Sequence, residues 1–445
     1  MKVSSPCLFI NNIYTYIGFY SSVCDQGVFV KRVLLTLSSS ILIAVIFLST
    51  GVQANAAVQS ATIEPTVYFS GKHLLVQGSS FPIKGANESV LPIGTMIAGP
   101  PNGVCLYIGG PPPTNFICSG LTIDDLGFAL DQEIRLVRSL GGNTFRTFGK
   151  ITSSVPATPY SETLRYARQY GVMVIAGFWM NDANFLAPQV RTNYINEFVS
   201  YVNTLRQDPN YDRVLMFGLS NENNNTFCTA STHVPPCNRQ QQAAAFYSLV
   251  NEMARRAKLG DPDPRPVMVV SAELGDIGTA SVNADDASTR FIDAWGVNVY
   301  RGSLFYGMFG QYAARSSKPL IVSEFGMDAW DNRGGGSHDP ATQANYVGTL
   351  WDELIADYGN PNGVSAGGCV FQIVDNWWQA NLPNLWVRGV ALHESGGWPN
   401  PGWPDGQADV EYFGLFERVA TTPLFDGYNP RSAAFVTQQK LNQTW

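Results

Sequence analysis

Two glutamates in this sequence each stand where an apolar run ends. The stretch PLIVSEFGMD, residues 319 to 328, has the pattern of a buried strand until Glu324 interrupts it. A second apolar run, VLMFGL, leads into SNENNN, so Asn221 and Glu222 follow it directly. Two neighbouring carboxyl groups can divide acid and nucleophile roles when their surroundings keep one protonated and the other charged. The two glutamates are far apart in sequence, so only the fold can bring them together.

Eight short apolar runs alternate with helical segments along most of the chain, and most are continuous, as in parallel strands covered on both faces. The runs are PIKGAN, NTFRTFG, VMVIAGFWM, VLMFGLSNE, PVMVVSAE, AWGVNVY, PLIVSEFG and GCVFQIVDNWW. Helical periodicity separates most of them, with the weakest helix signal after PVMVVSAE. This order predicts an α/β fold, a (β/α)8 TIM barrel. We expect a short β-hairpin before the barrel, at residues 66 to 77, and long loops on its catalytic face.

A doubly wound open sheet is the competing fold. The sequence has no G-x-G-x-x-G opening a helix and no G-x-x-x-x-G-K-[ST], the phosphate-binding motifs typical of such sheets. GLSNE lacks the last glycine of the G-x-S-x-G nucleophile elbow, which weakens an α/β-hydrolase interpretation. The barrel is therefore preferred.

In a TIM barrel, the carboxyl ends of the strands converge on one pocket, where catalysis takes place. Glu222 would close strand four and Glu324 strand seven, so the two side chains would face each other across the mouth. Glycoside hydrolysis uses such a pair. One carboxylic acid protonates the leaving oxygen, and the other carboxylate attacks the anomeric carbon or activates water.

Asn-Glu at the end of strand four and Glu at the end of strand seven resemble the signature of glycoside hydrolase clan A, the retaining four-seven barrel superfamily. The resemblance covers residues 69 to about 378. It implies that Glu222 is the acid/base and Glu324 the nucleophile. It also implies that Asn221 hydrogen-bonds the 2-hydroxyl of the sugar.

The same resemblance implies roles for residues at other strand ends. Arg146 in NTFRTFG matches the strand-two arginine near the nucleophile, and Tyr300 in GVNVY matches the strand-six tyrosine that hydrogen-bonds it. Trp377 or Trp378 matches the tryptophan platform under the reacting sugar. By position alone, three further strand-end residues are candidates for sugar contacts: Trp179, Asn181 and Asn87.

Within the clan, the hairpin followed by FPIKGAN resembles the fungal β-1,3-glucanosyltransferases, family 2 glycosidases and family 5 cellulases and mannanases. The resemblance implies a β-glucan or β-mannan as substrate, with hydrolysis or transglycosylation through a glycosyl-enzyme. It implies no metal or organic cofactor. The histidines show no metal-ligand spacing either. Two alternatives stay open: a catalytically silent carbohydrate-binding barrel of the cell envelope, and a membrane-tethered scaffold.

The first residues of the chain have the pattern of an export signal. Lys31 and Arg32 precede an apolar run from Val33 to Leu48, and Ala54-Asn55-Ala56 fits a signal-peptidase site. We therefore expect an extension and signal peptide over residues 1 to 56, then a single barrel domain over 57 to 445. The predicted location is secreted, periplasmic or in the cell envelope, without stable membrane insertion after cleavage.

Charge and cysteines agree with an exported carbohydrate-active protein. The net charge of −7 and the lack of a basic run argue against a nucleic-acid partner, and we expect a monomer that binds an oligo- or polysaccharide. In an exported protein, local cysteine pairs favour disulfides, here Cys105 with Cys118 and Cys228 with Cys237. Cys369 is predicted to be a buried free thiol.

Overall fold

The computed structural model describes residues 66–91, 122–153, 160–229, 237–376, 398–420 and 426–445. It also describes the backbone of three strands, Thr95–Ala98, Gly103–Tyr107 and Phe116–Cys118, which pair antiparallel. The expected export signal and the boundary at residue 56 lie outside this part of the chain, so both stay predictions. In the described residues, no helix has the length and apolar character needed to cross a bilayer.

Eight parallel strands close into a barrel, which confirms the predicted (β/α)8 fold. We number the barrel strands one to eight in chain order. They are Ile83–Asn87, Thr144–Arg146, Met173–Phe178, Val214–Leu219, Val267–Ala272, Ala294–Asn298, Leu320–Phe325 and Ser365–Val370. Strand eight pairs with strand one, so no edge remains open. All eight strands are buried along nearly their whole length, which explains their continuous apolar sequences.

The barrel interior is filled by side chains and closed at one end by the N-terminal hairpin. Val67–Ser70 pairs antiparallel with His73–Val76, which is the predicted hairpin, and Ser79–Ser80 adds a short third strand that was not predicted. Val67 and Leu74 pack in one cluster with residues at the strand starts, including Ile83 and Met173. The hairpin therefore covers the amino-terminal end of the barrel, opposite the strand ends that carry Glu222 and Glu324.

Helices surround the barrel and bury their apolar faces against the strands. They are α1 (Gly127–Ser139), α2 (Glu162–Tyr170), α3 (Pro188–Arg206), α4 (Asn223–Thr226), α5 (Arg239–Lys258), α6 (Met308–Ala313), α7 (Pro340–Gly359) and α8 (Ser432–Leu441). Ser161 caps α2 by accepting a hydrogen bond from the Leu164 N–H, 3.1 Å. Strand five is followed by only a short 3₁₀ turn, Ala280–Val282, where the helix signal is weakest.

Strand eight ends earlier than its sequence suggests. The apolar run GCVFQIVDNWW predicts a strand that ends at Trp377 and Trp378, but the strand ends at Val370. After Val370 the backbone of Gln372 and Ile373 bonds to residues 413 to 416 of the tail, although the Ile373 N–H still donates to the Asn87 carbonyl of strand one. Apolar content alone does not mark this change of partner. Trp377 and Trp378 lie outside the described residues.

In the described residues after strand eight, 371–376, 398–420 and 426–445, two antiparallel strand pairs precede α8. Trp398–Pro399 pairs with Gln407–Ala408, a unit we call the Trp398 hairpin, and Phe416–Ala420 pairs with Asp426–Pro430. The second pair anchors a group of buried charges, which we call the tail cluster: Arg418, Arg431, Glu133, Asp375 and Asp426.

One of the two predicted disulfides is present. Cys228 and Cys237 are bonded in the loop between α4 and α5, and Cys369 is a buried free thiol, as predicted. Strand pairing places Cys105 opposite Cys118 in the backbone register. Their side chains lie outside the described part of the structure, so this disulfide stays a prediction.

Candidate active site

Glu324 is the last but one residue of strand seven and is held by two charged or polar partners. Arg146, at the end of strand two, donates from Nη1 to Glu324 Oε1 at 2.9 Å. The hydroxyl of Tyr300, just beyond strand six, donates to Glu324 Oε2 at 2.9 Å. Both carboxylate oxygens therefore have a donor, and the side chain is fixed at the barrel mouth with little solvent exposure.

The asparagine-rich end of strand four explains how Glu222 is presented. Asn223 donates to the Met180 carbonyl at the end of strand three, 3.0 Å, and Asn224 pairs with the backbone of Ala272 at the end of strand five. These two amides anchor the loop to its neighbours. Ser220 and Glu222 have φ values of 65° and 56°, in the left-handed region that non-glycine residues rarely adopt. Such strain is concentrated at functional sites.

Asn298 and Arg146 connect the two glutamates. The Asn298 amide, at the end of strand six, donates to Glu222 Oε1 at 2.8 Å and to Asn221 Oδ1 at 3.1 Å. In the pairing of strands six and seven, Asn298 lies opposite Glu324. Arg146 donates from Nη2 to Asn221 Oδ1 at 3.0 Å. Arg146 and Asn298 both donate to Asn221 Oδ1, so a continuous chain of hydrogen bonds joins Glu324 to Glu222 at the barrel mouth. The structure thus brings together Asn221, Glu222 and Glu324, as predicted.

The two carboxyl groups differ in their electrostatic surroundings. Burial raises the pKa of Glu222 to about 7, and the negative charge of Glu324 adds to the rise. Burial also raises the pKa of Glu324, but the Arg146 guanidinium opposes that rise, helped by hydrogen bonds from Tyr300 and Asn298. Arg146 is hydrogen-bonded to Glu324 alone of the two. Glu324 is therefore the group suited to stay charged, and Glu222 the group suited to carry a proton near neutral pH.

Asn87 has a different place from the one expected. It is fully buried, donates to the carbonyls of Ser323, Cys369 and Val370, and accepts from Arg146 Nη1 at 2.7 Å. The Asn87 amide therefore lies beneath the site and orients Arg146 through this hydrogen bond. It has no exposed surface at the barrel mouth. Arg146 is itself only 2% exposed. The predicted sugar contact of Asn87 is therefore corrected to a supporting role.

The rim after strand three carries Trp179 and Asn181. Trp179 is 49% exposed, and its indole N–H donates to Asn181 Oδ1 at 3.0 Å. Both side chains are open to solvent beside the mouth, where the sequence places them. Their predicted contact with sugar stays a prediction. Trp377 and Trp378 cannot be placed, because they lie in the part of the chain that is not described.

Sequence reasoning missed two residues near the carboxylates. Asn298 lies two residues before Tyr300 in GVNVY, and alternation along a strand directs both to the same side. That spacing could have identified it. Trp398 lies in the Trp398 hairpin and packs its ring against Tyr300 with centroids 5.8 Å apart. No local signal links it to strand six.

Metal-dependent chemistry has no ligand set in the described residues. No group of three or more His, Cys, Asp or Glu side chains in the ranges described above is arranged to hold a metal ion. The chemistry available there is that of two carboxylates, an arginine, a tyrosine and three amides.

Comparison with known proteins gives a match in fold but not in sequence. No protein-family model and no curated protein sequence matches the chain. Among solved structures, a GH2 β-galacturonidase from Eisenbergiella tayi bound to galacturonate matches with a TM-score of 0.50 at 14% identity over 85% of this chain. A β-D-glucuronidase of Dictyoglomus thermophilum and a β-glucuronidase from Ruminococcus gnavus in complex with D-glucuronic acid also match over 85% of this chain, with TM-scores of 0.47 and 0.49 at 16% and 13% identity.

The likeness to these glycosidases concerns the fold. The chain spans about half the length of the matched proteins, covering 54% of the galacturonidase and the glucuronidase of D. thermophilum and 52% of that from R. gnavus. The barrel is the shared architecture, and the activity of this chain has to be argued from its own residues.

Proposed function

We propose that the protein is a retaining glycoside hydrolase or transglycosylase of clan A that acts on a β-linked polysaccharide. The observation that carries the proposal is the chain of hydrogen bonds at the mouth of the barrel that joins Glu324 to Glu222 through Arg146, Asn221 and Asn298. Two carboxylates with unequal surroundings at one barrel mouth are the machinery that this reaction requires. The glycosidase identity of the fold neighbours is compatible with it.

In the first step, Glu324 attacks the anomeric carbon of the bound sugar. Arg146 and Tyr300 hold its two oxygens, so the carboxylate is charged and oriented before substrate arrives. As the carbon–oxygen bond to the leaving group breaks, Glu222 transfers its proton to the leaving oxygen. A glycosyl ester on Glu324 results, with the configuration at the anomeric carbon inverted once.

In the second step, Glu222 acts as a base. Burial is the main cause of the raised pKa of Glu222, and formation of the ester removes the charge of Glu324 and with it the repulsion that adds to the rise. The Glu222 carboxylate can then take a proton from water or from a sugar hydroxyl, whose oxygen attacks the anomeric carbon and releases Glu324. The second inversion restores the original configuration. Asn221, whose Oδ1 accepts from Arg146 and Asn298, is the residue that we propose binds the sugar 2-hydroxyl.

The substrate and acceptor can be identified in one experiment. We propose a β-glucan or β-mannan and would incubate the protein with laminarin, mannan and cellulose oligosaccharides and determine product masses. Shorter products indicate hydrolysis and longer ones indicate transfer to a second sugar. If no product forms from any of them, the proposed substrate class is wrong.

A catalytically silent carbohydrate-binding barrel is the second candidate. The half-buried rather than enclosed Glu222 and the exposed rim side chains Trp179 and Asn181 are compatible with sugar binding alone. This alternative predicts that an oligosaccharide binds without being converted, which the same incubation, followed by a binding measurement, distinguishes from an active enzyme.

We also propose that the protein acts outside the cytoplasm as a monomer. The Cys228–Cys237 disulfide supports an oxidising compartment, and the basic and apolar pattern of residues 31 to 56 supports export. Sequencing the amino terminus of the exported protein tests the location, since cleavage after Ala56 would leave Ala57 first. Light scattering tests the oligomeric state.

A further inference from the structure

Trp398 is an aromatic side chain at the mouth to which the proposed mechanism gives no part. Its ring is stacked nearly parallel to that of Phe413, with centroids 5.9 Å apart and planes at 19°, and meets Tyr300 at 5.8 Å and 73°. Tyr300 in turn donates to Glu324. The indole is thus one side chain removed from the proposed nucleophile, and 37% of the residue remains exposed.

The Trp398 hairpin is docked tightly on the loop after strand six. Asn400 donates to the Tyr300 carbonyl at 3.0 Å, and the Trp403 indole donates to buried Asp328 at 2.6 Å. Gly402 approaches the loop so closely that an added Cβ would lie 2.6 Å from the Arg301 carbonyl oxygen. These contacts fix the exposed indole in place before any ligand binds, which lowers the entropy cost of stacking on it.

A second exposed tryptophan lies on the other side of the mouth. Trp179 follows strand three, whereas Trp398 packs on Tyr300 beyond strand six and, through Phe413, against Phe371 beyond strand eight. In a closed barrel of eight strands, strand three lies opposite strand seven, which is between six and eight. The two indoles therefore flank the carboxylates from opposite sides.

We infer that Trp398 and Trp179 are sugar-stacking platforms on opposite sides of the cleaved bond, so that the substrate is an extended β-linked chain lying across the mouth. Flat apolar ring faces of β-linked sugars pack on indole rings, and a fixed platform on each side favours binding of several consecutive sugars. Cleavage would then occur within chains rather than only at their ends. This inference rests on the proposed function and narrows its substrate class.

The test is a titration calorimetry series with three hexasaccharides, of the laminarin, cellulose and mannan type, and with the corresponding trisaccharides. The variants are Trp398→Ala, Trp179→Ala and, as a matched control, Phe435→Ala, since Phe435 is an aromatic residue 56% exposed on α8 outside the barrel mouth. We expect each tryptophan variant to bind the preferred hexasaccharide about tenfold more weakly, and the control to be unchanged. Trp398→Phe should recover part of the loss.

The outcomes separate this inference from the proposed function. If both tryptophan variants convert the substrate and bind the hexasaccharide as tightly as the unaltered protein, the platforms are wrong and the proposed function stands. If hexasaccharide binding depends on both tryptophans but no product forms, the proposed function is wrong and the platforms stand. The two-platform cleft is also wrong if only one variant loses affinity for the hexasaccharide. The same holds if tri- and hexasaccharides bind equally well, or if the unaltered protein binds none of them.

If Trp398 only supports Tyr300, the loss would appear in turnover rather than in binding. Trp398→Ala would then lower kcat on every substrate, including short ones, with KM unchanged. We expect the reverse, a raised KM that grows with chain length and a nearly unchanged kcat.

Discussion

Two groups of charged residues in this barrel consist of similar residue types but have different roles. The catalytic group consists of Arg146, Glu324 and Glu222, and the tail cluster contains two arginines and three acids. In the tail cluster, Arg418 pairs with Glu133 at 3.0 Å and Asp426 at 3.2 Å, and Arg431 holds both oxygens of Asp375. In the catalytic group, Glu222 is hydrogen-bonded to the Asn298 amide and to no arginine of the described chain.

The difference lies in pairing and access. Every acid of the tail cluster contacts a guanidinium and is closed off from solvent, including Glu133, whose pKa burial raises to about 7. In the catalytic group, Glu222 has no hydrogen bond from a guanidinium of the described chain and is only partly buried at the mouth. A carboxyl group without a guanidinium partner lowers the stability of the folded protein. It can, however, hold a proton and transfer it to the substrate. The tail cluster should therefore govern folding, and the catalytic group turnover.

Removing either catalytic carboxylate should give the largest effect. Glu324→Gln abolishes the nucleophile, and Glu222→Gln removes the proton donor, so we expect turnover of natural oligosaccharides to fall by roughly 10²- to 10⁴-fold or more. Initial rates from product analysis measure this. The control is Glu197→Gln, a surface glutamate on α3 paired with Lys150. Wild-type rates in either site variant would refute the assignment of roles.

Replacing one arginine in each group should show that the tail cluster affects stability and the catalytic group affects turnover. Arg418→Met leaves Glu133 and Asp426 buried without their partner, and we expect the free energy of unfolding to fall by about 3–5 kcal/mol, with turnover per folded molecule unchanged. Arg146→Met should instead lower kcat by about 10²- to 10³-fold, because Glu324 loses its stabilising cation. Urea unfolding and kinetics on the same samples measure both.

The contrast fails if the two arginine variants behave alike. A loss of turnover per folded molecule in Arg418→Met, or an unchanged kcat in Arg146→Met, would mean that the groups are not functionally distinct.

The pH profile should show the proton held by Glu222. Because the general acid must be protonated, kcat/KM should fall as the pH rises through about 7, roughly tenfold per unit beyond that value. The acidic limb reflects protonation of Glu324, and the two apparent values belong to the coupled pair. Rates from pH 4 to 9 measure both limbs. A profile that stays flat up to pH 9 would contradict a proton-donating role of Glu222.

The smallest effect expected is a gain of stability. Burial raises the pKa of Glu222 from 4.5 in the unfolded chain to about 7, so the folded state binds the proton more tightly and loses stability as the pH rises between these values. Glu222→Gln removes this loss while keeping an oxygen for Asn298. We expect the variant to be more stable than the wild type at pH 8 by about 1 kcal/mol, and equal to it at pH 4. Urea unfolding at both pH values tests this.

The sequence predicts those structural features whose signal lies in neighbouring residues of the chain. Strand ends were identified because apolar runs stop there, so the positions of Glu222, Glu324, Arg146 and Tyr300 followed from counting eight strands. Asn87 was placed at a strand end correctly, but its burial depends on Arg146 packing above it, a contact across 59 residues.

The tail cluster has no signal in the sequence, and the aromatic-rich tail segment GGWPNPGWPDG indicates a loop on the catalytic face without naming the partner of Trp398. Arg418 and Glu133 are 285 residues apart, and an isolated arginine in a strand has no pattern that names its partner. Trp398 is likewise brought to Tyr300 only by folding of the tail. Such long-range contacts follow from the closed barrel and cannot be derived from periodicity.

Covalent trapping tests the central claim most directly. The protein would be treated with 2,4-dinitrophenyl 2-deoxy-2-fluoro-β-glucoside and the corresponding mannoside, whose glycosyl-enzymes hydrolyse slowly, and then digested for peptide mass analysis. We predict that one of them adds a single fluorosugar to Glu324 and that Glu324→Gln gains none. Attachment to a different carboxylate, or release of products of inverted configuration without any adduct, would contradict the account.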